Sequence, residues 1–232
     1  MPRTPRKHSQ DVRDYPIYSI PEVAAFLGLP ERTVREWFLD KPLWEIAGHR
    51  HGVYLLSFRD LAQAHAVELI TRHYKTPLAK IRQAFQEAKK ETKSQYPLLS
   101  KNIKMFLKQI VLDKPARGKQ PRRAIVLTQH RQMAIPEFVD AFGTRFRWDN
   151  KGVAEIFPWR LWKPEDDRKP VSVDPQVMSG KLVVTGTRVP VETILSRKKA
   201  GHSVRRIAED YSIKSSVIED ALTHIQRERK AA

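Results

Sequence analysis

YSIPEVAAFLGLPERTVREWF, residues 18–38, carries the pattern of two short helices joined by a tight turn. Ser19 and Glu22 stand at capping-box spacing, in which each side chain satisfies a free backbone N–H of the first turn. Pro21 is tolerated there because early helical N–H groups lack intrahelical partners. Val23, Ala24, Phe26 and Leu27 form the apolar stripe, and Gly28 ends the helix in a left-handed cap. Leu29 plugs the turn, and Pro30 or Glu31 opens a second helix with Val34, Trp37 and Phe38 facing inward. Helix, glycine turn, helix is the helix-turn-helix signature. Arg32, Thr33, Arg35 and Glu36 are left on the outer surface. Side chains near the start of a reading helix reach base edges, so Arg32, Thr33 and Arg35 are the candidate DNA contacts. A helical hairpin used for packing or protein contact is the competing reading.

The next residues, LWEIAGHRHGVYLLSF, predict a hairpin of Trp44–Ala47 with Val53–Leu56 across Gly48–Gly52. His49, Arg50 and His51 would sit at its tip, where a basic wing meets phosphate or the minor groove. His49 and His51 have no carboxylate or third histidine at useful spacing, so no metal site is expected.

Composition agrees with a polyanionic partner. The 232 residues carry a formal net charge of +17, and Lys and Arg that neutralise phosphates release condensed counterions. Hydrophobic residues make up 41 %, enough for a packed core. There is no cysteine, which excludes disulfides, Cys-ligated zinc and thiol catalysis. No apolar run reaches the ~18 residues of a membrane span, and the basic N-terminus lacks the apolar stretch of a secretory signal. A cytoplasmic protein with no cofactor is expected.

The expected fold is α+β and mainly helical, in four parts: a basic arm over 1–16, a winged helix-turn-helix with following helices over 17–95, a small α+β segment over 96–165, and a C-terminal unit over 170–232 consisting of a hairpin and three helices. In the second part, Thr76 and Pro77 are the expected start of a helix whose buried stripe is Leu78, Ile81, Phe85 and Ala88. In the third, Asn102–Leu112 and Arg123–Leu127 read as strands and Ala134–Phe142 as a short helix. Asp149-Asn150-Lys151-Gly152 marks a hairpin turn. No catalytic constellation is visible: Asp140, Asp149 and Glu155 form no motif, and metal-assisted hydrolysis would need clustered carboxylates or histidines. Trp148, Trp159 and Trp162 are read as packing residues.

In the fourth part, Ser179-Gly180 turns between two short strands and Gly186 permits an unusual backbone angle. Pro190 starts one helix, Gly201 ends it, Ser203 caps the next, and Ser216 with Glu219 has capping-box spacing for the last. This second helix-turn-helix pattern opens its final helix with Glu219 and Asp220, which suit the helix dipole and repel phosphate. Packing, dimerisation or protein contact is therefore expected here, with Arg205 and Arg206 the remaining argument for DNA.

Two resemblances bear on these segments. Residues 18–38, followed by SFRDLAQAHAVELI and TPLAKIRQAFQEAKK, resemble the opening of MerR-type DNA-binding domains, in which a later helix drives dimerisation. That resemblance implies a role for Phe58–Lys93 in forming a homodimer. SGKLVVTGTRVPVETIL, with Gly186-Thr187-Arg188, and the later AGHSVRRIAEDY resemble a widespread bacterial domain found in antitoxins of VapBC-like toxin–antitoxin modules. Leu182 stands where that family commonly has proline. The three-part layout resembles longer VapB-like antitoxins, and this implies a PIN-like ribonuclease toxin as partner and autorepression through double-stranded DNA of the chain's own promoter. A metal-dependent nuclease has an acidic active site, which makes Arg117, Arg227 and Arg229 candidate toxin contacts. The alternative is a stand-alone MerR-like transcriptional regulator without a toxin. Neither reading is that of an enzyme.

Overall fold

The computed structural model describes residues 11–46, 48–50, 53–72, 74–106, 109–118, 123–127, 131–133, 139–140, 145–158 and 168–230, without the side chains of 49–50, 105–106, 109, 123, 131–133, 139–140 and 224–230. The chain is α+β, with most of its regular structure in helices and with small antiparallel sheets between them.

Strand β1 (Tyr18–Ser19) leads into α1 (Ile20–Leu27), α2 (Glu31–Arg35), β2 (Gly48–Arg50) and β3 (Val53–Leu56). These strands form a three-stranded sheet in the order β1-β3-β2. Gly48 pairs with Leu55, His49 with Tyr54 and Arg50 with Val53. The described hairpin arm is therefore Gly48–Arg50; Trp44–Ile46 of the expected arm lie outside any strand, and Ala47 is outside the described residues. Trp44 has other work: its indole Nε1 donates to a buried Asp60 Oδ1 at 2.9 Å, and its ring stacks on Phe85 and meets the edge of Phe38. Packing thus claims Leu43 and Trp44 for the core. The second helix of the α1–α2 pair, the candidate reader, also differs from expectation. After Arg35 it widens into a π-helical turn over Glu36–Asp40, with Trp37 and Phe38 buried.

Helix α3 (Phe58–Arg72) runs through the middle of the molecule, with 12 of its 15 residues buried. Helix α4 (Leu78–Thr92) lays Ile81, Ala84, Phe85 and Ala88 into the same core. Its N-cap is Pro77 without a side-chain hydrogen bond, and the expected cap Thr76 is buried one residue earlier. Helix α3 is thus largely enclosed by its own chain, with Arg59, Thr71 and Arg72 half-buried. Of the segment implied in dimerisation, most exposed positions among the described residues lie on the outer face of α4.

The segment read as one strand over 102–112 is two: β4 (Ile103–Phe106) and β5 (Gln109–Lys114) pair with each other. With β6 (Arg123–Val126), β7 (Arg131–Met133) and β8 (Val139–Asp140) they make a five-stranded sheet, order β7-β6-β5-β4-β8. Val139–Asp140 pairs with β4, so these residues of the expected helix over 134–142 are strand; the rest lie outside the described residues. Hairpin β9 (Phe146–Asp149) and β10 (Gly152–Ile156) turns at Asn150-Lys151 as its sequence predicts. Its Phe146, Val153 and Ile156 join one core with Ile103, Ile110 and the reader, so the segments divided at residue 95 share a single apolar interior.

The C-terminal unit has its own core. Strands β11 (Val171–Ser172) and β12 (Val183–Val184) pair, and α5 (Val191–Lys199), α6 (Val204–Tyr211) and α7 (Ser215–Lys230) follow. Ser203 caps α6 by accepting from the Arg206 N–H at 3.1 Å. Helix α7 already begins at Ser215, so Ser216 lies inside its first turn and the expected box with Glu219 does not cap it. Among the described residues no helix is long and apolar enough to cross a membrane.

Candidate nucleic-acid interface

The reader is built on the caps that its sequence encodes. Glu22 Oε2 accepts from Ser19 N at 2.8 Å and Ser19 Oγ at 2.7 Å, while Ser19 Oγ accepts from Glu22 N at 3.4 Å. Gly28 takes φ 55° and ψ 44°, the left-handed cap that lets the chain reverse into α2. Val34 is wholly buried beneath α2. The spacing of α2 then places Arg32 and Arg35, three residues apart, side by side on the opposite, exposed face, with Thr33 half-buried between them. Among the described residues neither arginine pairs with a carboxylate. Two guanidinium forks on an exposed helix face are suited to guanine edges or phosphates.

Among the described residues, most other arginines are engaged. Arg59 pairs with Asp14 and Asp11, Arg147 with Glu155 and Asp174, and Arg197 with Asp210. On α6, Arg205 pairs with Glu209 at 3.0 Å and Arg206 with Asp210 at 3.3 Å. The second helix-turn-helix pattern, α6 to α7 through left-handed Ser212, therefore holds its own counter-charges. The contrast with Arg32 and Arg35 distinguishes the two motifs electrostatically.

The hairpin beside the reader places His49 and Arg50 on β2 itself, not in its connection, and His51 lies outside the described residues. The side chains of His49 and Arg50 lie outside them as well. Val53 and Tyr54 on the facing strand are exposed. Arg117 is exposed after β5, and the side chains of Arg227 and Arg229 on α7 are outside the described residues. Among the described residues no group of three or more His, Asp or Glu is placed to hold a metal ion.

Two further arginines position the reader, and no local pattern announces them. Arg72 Nη2, from the end of α3, donates to the Gly28 carbonyl at 3.2 Å. Arg82, from α4, donates through Nη2 to Lys41 O at 2.7 Å and through Nη1 to Pro42 O at 3.4 Å. Each guanidinium takes up carbonyls that a helix end leaves without intrahelical donors. A third support was legible: Ser57-x-x-Asp60 has capping-box form, and Asp60 accepts from Ser57 N, Ser57 Oγ and Trp44 Nε1 while wholly buried.

The packed fold takes in part of the expected N-terminal arm. Residues 11–16 are packed on the fold, and Arg13, 2 % exposed, grips both carboxylate oxygens of Asp149 in the β9–β10 turn. That pair holds the Asp149 carboxyl down at about 2, from an ordinary 3.8. Burial pushes the Tyr96 phenol up to about 12, helped by nearby Asp60.

Known proteins give partial bearings. Residues 171–224, less than half of the chain, match the family described as a protein of unknown function, DUF433. No curated protein matches the chain. The crystal structure of Rv2018 from Mycobacterium tuberculosis is similar over 90 % of this chain and 98 % of that one, with a TM-score of 0.62 and 19 % identity. At that identity the likeness speaks for the fold alone, which extends over most of both chains.

Proposed function

We propose that this chain is a DNA-binding antitoxin of a type II toxin–antitoxin module, which represses its own operon and neutralises a PIN-like ribonuclease toxin. The observation that carries the DNA half is the unpaired couple Arg32 and Arg35, exposed on the helix after a left-handed glycine turn and adjoining a hairpin. Thr33, His49, Arg50 and His51 complete the proposed contact surface, with α2 reading base edges and the hairpin touching phosphate. The +17 charge supplies sequence-independent attraction to the duplex. The toxin half rests on the resemblance of the C-terminal unit to VapB-like antitoxins. Arg117, Arg227 and Arg229 are its proposed contacts with an acidic nuclease site. The role is one of binding, exercised by a homodimer in the cytoplasm, without catalysis.

The test has two arms. Fluorescence anisotropy with a duplex from the chain's own upstream region, at one fixed salt concentration, should show specific binding that Arg32→Ala and Arg35→Ala weaken. Affinity unchanged in both variants removes the reader. Co-expression with the adjacent gene product should yield a stable complex that suppresses its ribonuclease activity. No complex would sink the antitoxin role while leaving DNA binding intact.

A further inference from the structure

A cleft of about 700 Å³ separates the reader from the C-terminal unit. One wall is α1, through Ala25 and Phe26, with Leu29 of the turn; the other is Leu182 and, from α5, Leu195. The floor is closed by Tyr18, whose hydroxyl donates to the Gly180 carbonyl at 3.0 Å across the two units. Gly180 permits this approach because a Cβ there would lie 2.0 Å from the Tyr18 oxygen. Burial raises the Tyr18 phenol above its ordinary pKa, so it remains a donor at neutral pH.

Three features mark this cleft as a site for a small molecule. Its volume falls within the roughly 300–1,000 Å³ of ligand pockets, whereas protein partners meet flatter surfaces. Its walls are apolar and only partly covered: Phe26, Leu29, Leu182 and Leu195 retain surface that an occupant would bury. Its charged rim runs against the rest of the molecule. In a chain of net charge +17, the charged side chains at the cleft are Glu22 and Glu192 against one Lys181. Glu22 is engaged in its capping box, but Glu192 is exposed in the first turn of α5 and has no ion-pair partner among the described residues.

We propose that the cleft between α1 and α5 binds a small amphipathic organic cation, its apolar body between Phe26 and Leu195 and its ammonium group at Glu192. The apolar walls supply the affinity, and a charge-assisted hydrogen bond to Glu192 selects the cationic head group. Since the walls belong to the helix preceding the reading helix and to the C-terminal unit, the ligand would bridge the two.

Octylammonium, octanoate and octanol share one apolar chain and differ only in head group, so they separate the two contributions. Calorimetry on the full chain, with methyl resonances of Ala25, Leu182 and Leu195 as the local reporter, should show saturable one-site binding. Octylammonium should bind about tenfold tighter than octanol, and octanoate weakest. Glu192→Gln should erase that preference and leave octanol binding unchanged. Leu195→Trp and, from the opposite and exposed wall position, Ala25→Trp should each fill the cleft and abolish binding of all three. Binding that survives both fillings, octanoate binding as tightly as octylammonium, or no saturation by any of the three overturns the proposal. No DNA or toxin enters the assay, so its failure is distinct from failure of either.

Discussion

Arg72 reaches from the last turn of α3 to the carbonyl of Gly28, so the central helix of the core holds the turn of the helix-turn-helix at 3.2 Å. Its Nε also lies 3.3 Å from Glu68 Oε1, and Glu68 is buried beside His65. Arg72→Ala removes both contacts and leaves a buried carboxylate without its main counter-charge. The expected cost is about 1–2 kcal/mol, discounted because the arginine is partly solvated. Urea denaturation measures it. Arg72→Lys should restore part of the stability through charge alone, because it lacks the fork that serves both acceptors.

Arg35→Ala should weaken specific DNA binding by about 1–3 kcal/mol if the side chain makes a bidentate base contact, and should relax sequence preference at one position. Arg50→Ala should instead weaken all sequences alike and reduce the salt slope, as a phosphate contact does. Anisotropy titrations of both variants on specific and scrambled duplexes distinguish the two roles. A homodimer should protect two half-sites about one helical turn, or a multiple, apart.

Asp149 should govern an acid-sensitive step. Its carboxyl titrates at about 2 in the fold, against an ordinary 3.8, chiefly because Arg13 bonds to it. A depressed folded pKa contributes stability that is fully present above about pH 4 and is lost as the pH falls through about 2. The urea midpoint of the wild-type chain should therefore drop between pH 4 and pH 2 more steeply than that of Asp149→Asn. Parallel slopes in the two proteins would show that the Arg13–Asp149 clasp does not contribute.

Asp60→Asn should cost about 1–3 kcal/mol, because the buried carboxylate accepts three hydrogen bonds and the amide cannot accept all of them. Trp44→Phe keeps most of the ring stacking and loses one donor, so about 1 kcal/mol is expected. Thermal denaturation of the two single variants and the double variant checks this. Full additivity would mean that the indole and the carboxylate do not act as a pair.

Tyr18→Phe should loosen the C-terminal unit against the reader at a cost of about 1 kcal/mol. Gly180→Ala should do more, since it strains a backbone at φ +76° and places a carbon against the Tyr18 hydroxyl. Hydrogen exchange at the Gly180 end of the cleft is the direct readout.

Much of this was legible along the chain. Capping spacing at Ser19 and Glu22, the left-handed glycine at 28, the inward Val34, Trp37 and Phe38, the turn at Asn150-Lys151 and the cap at Ser203 are local chemistry, and each was read where it stands. Helix periodicity likewise fixed the face on which Arg32 and Arg35 emerge. What failed to be read was set by distant partners. Trp44 left the expected strand because Asp60 and Phe85 bind it. A strand-like run at 102–112 folded back on itself because sheet pairing rewarded two strands over one. The helix-like 139–140 became an edge strand because β4 offered it a partner.

The sequence by itself determined where α1 starts and stops, where α2 opens and which side chains they turn outward, since caps and periodicity act over three or four residues. Only the tertiary structure decided which cations are spent in ion pairs and which stay free, how Arg72 and Arg82 brace the reader, and that the two units enclose an apolar cleft between α1 and α5. Apart from the i,i+4 pairs of α6, those relations join residues far apart in the chain, and their energies arise from burial and proximity that no local pattern encodes.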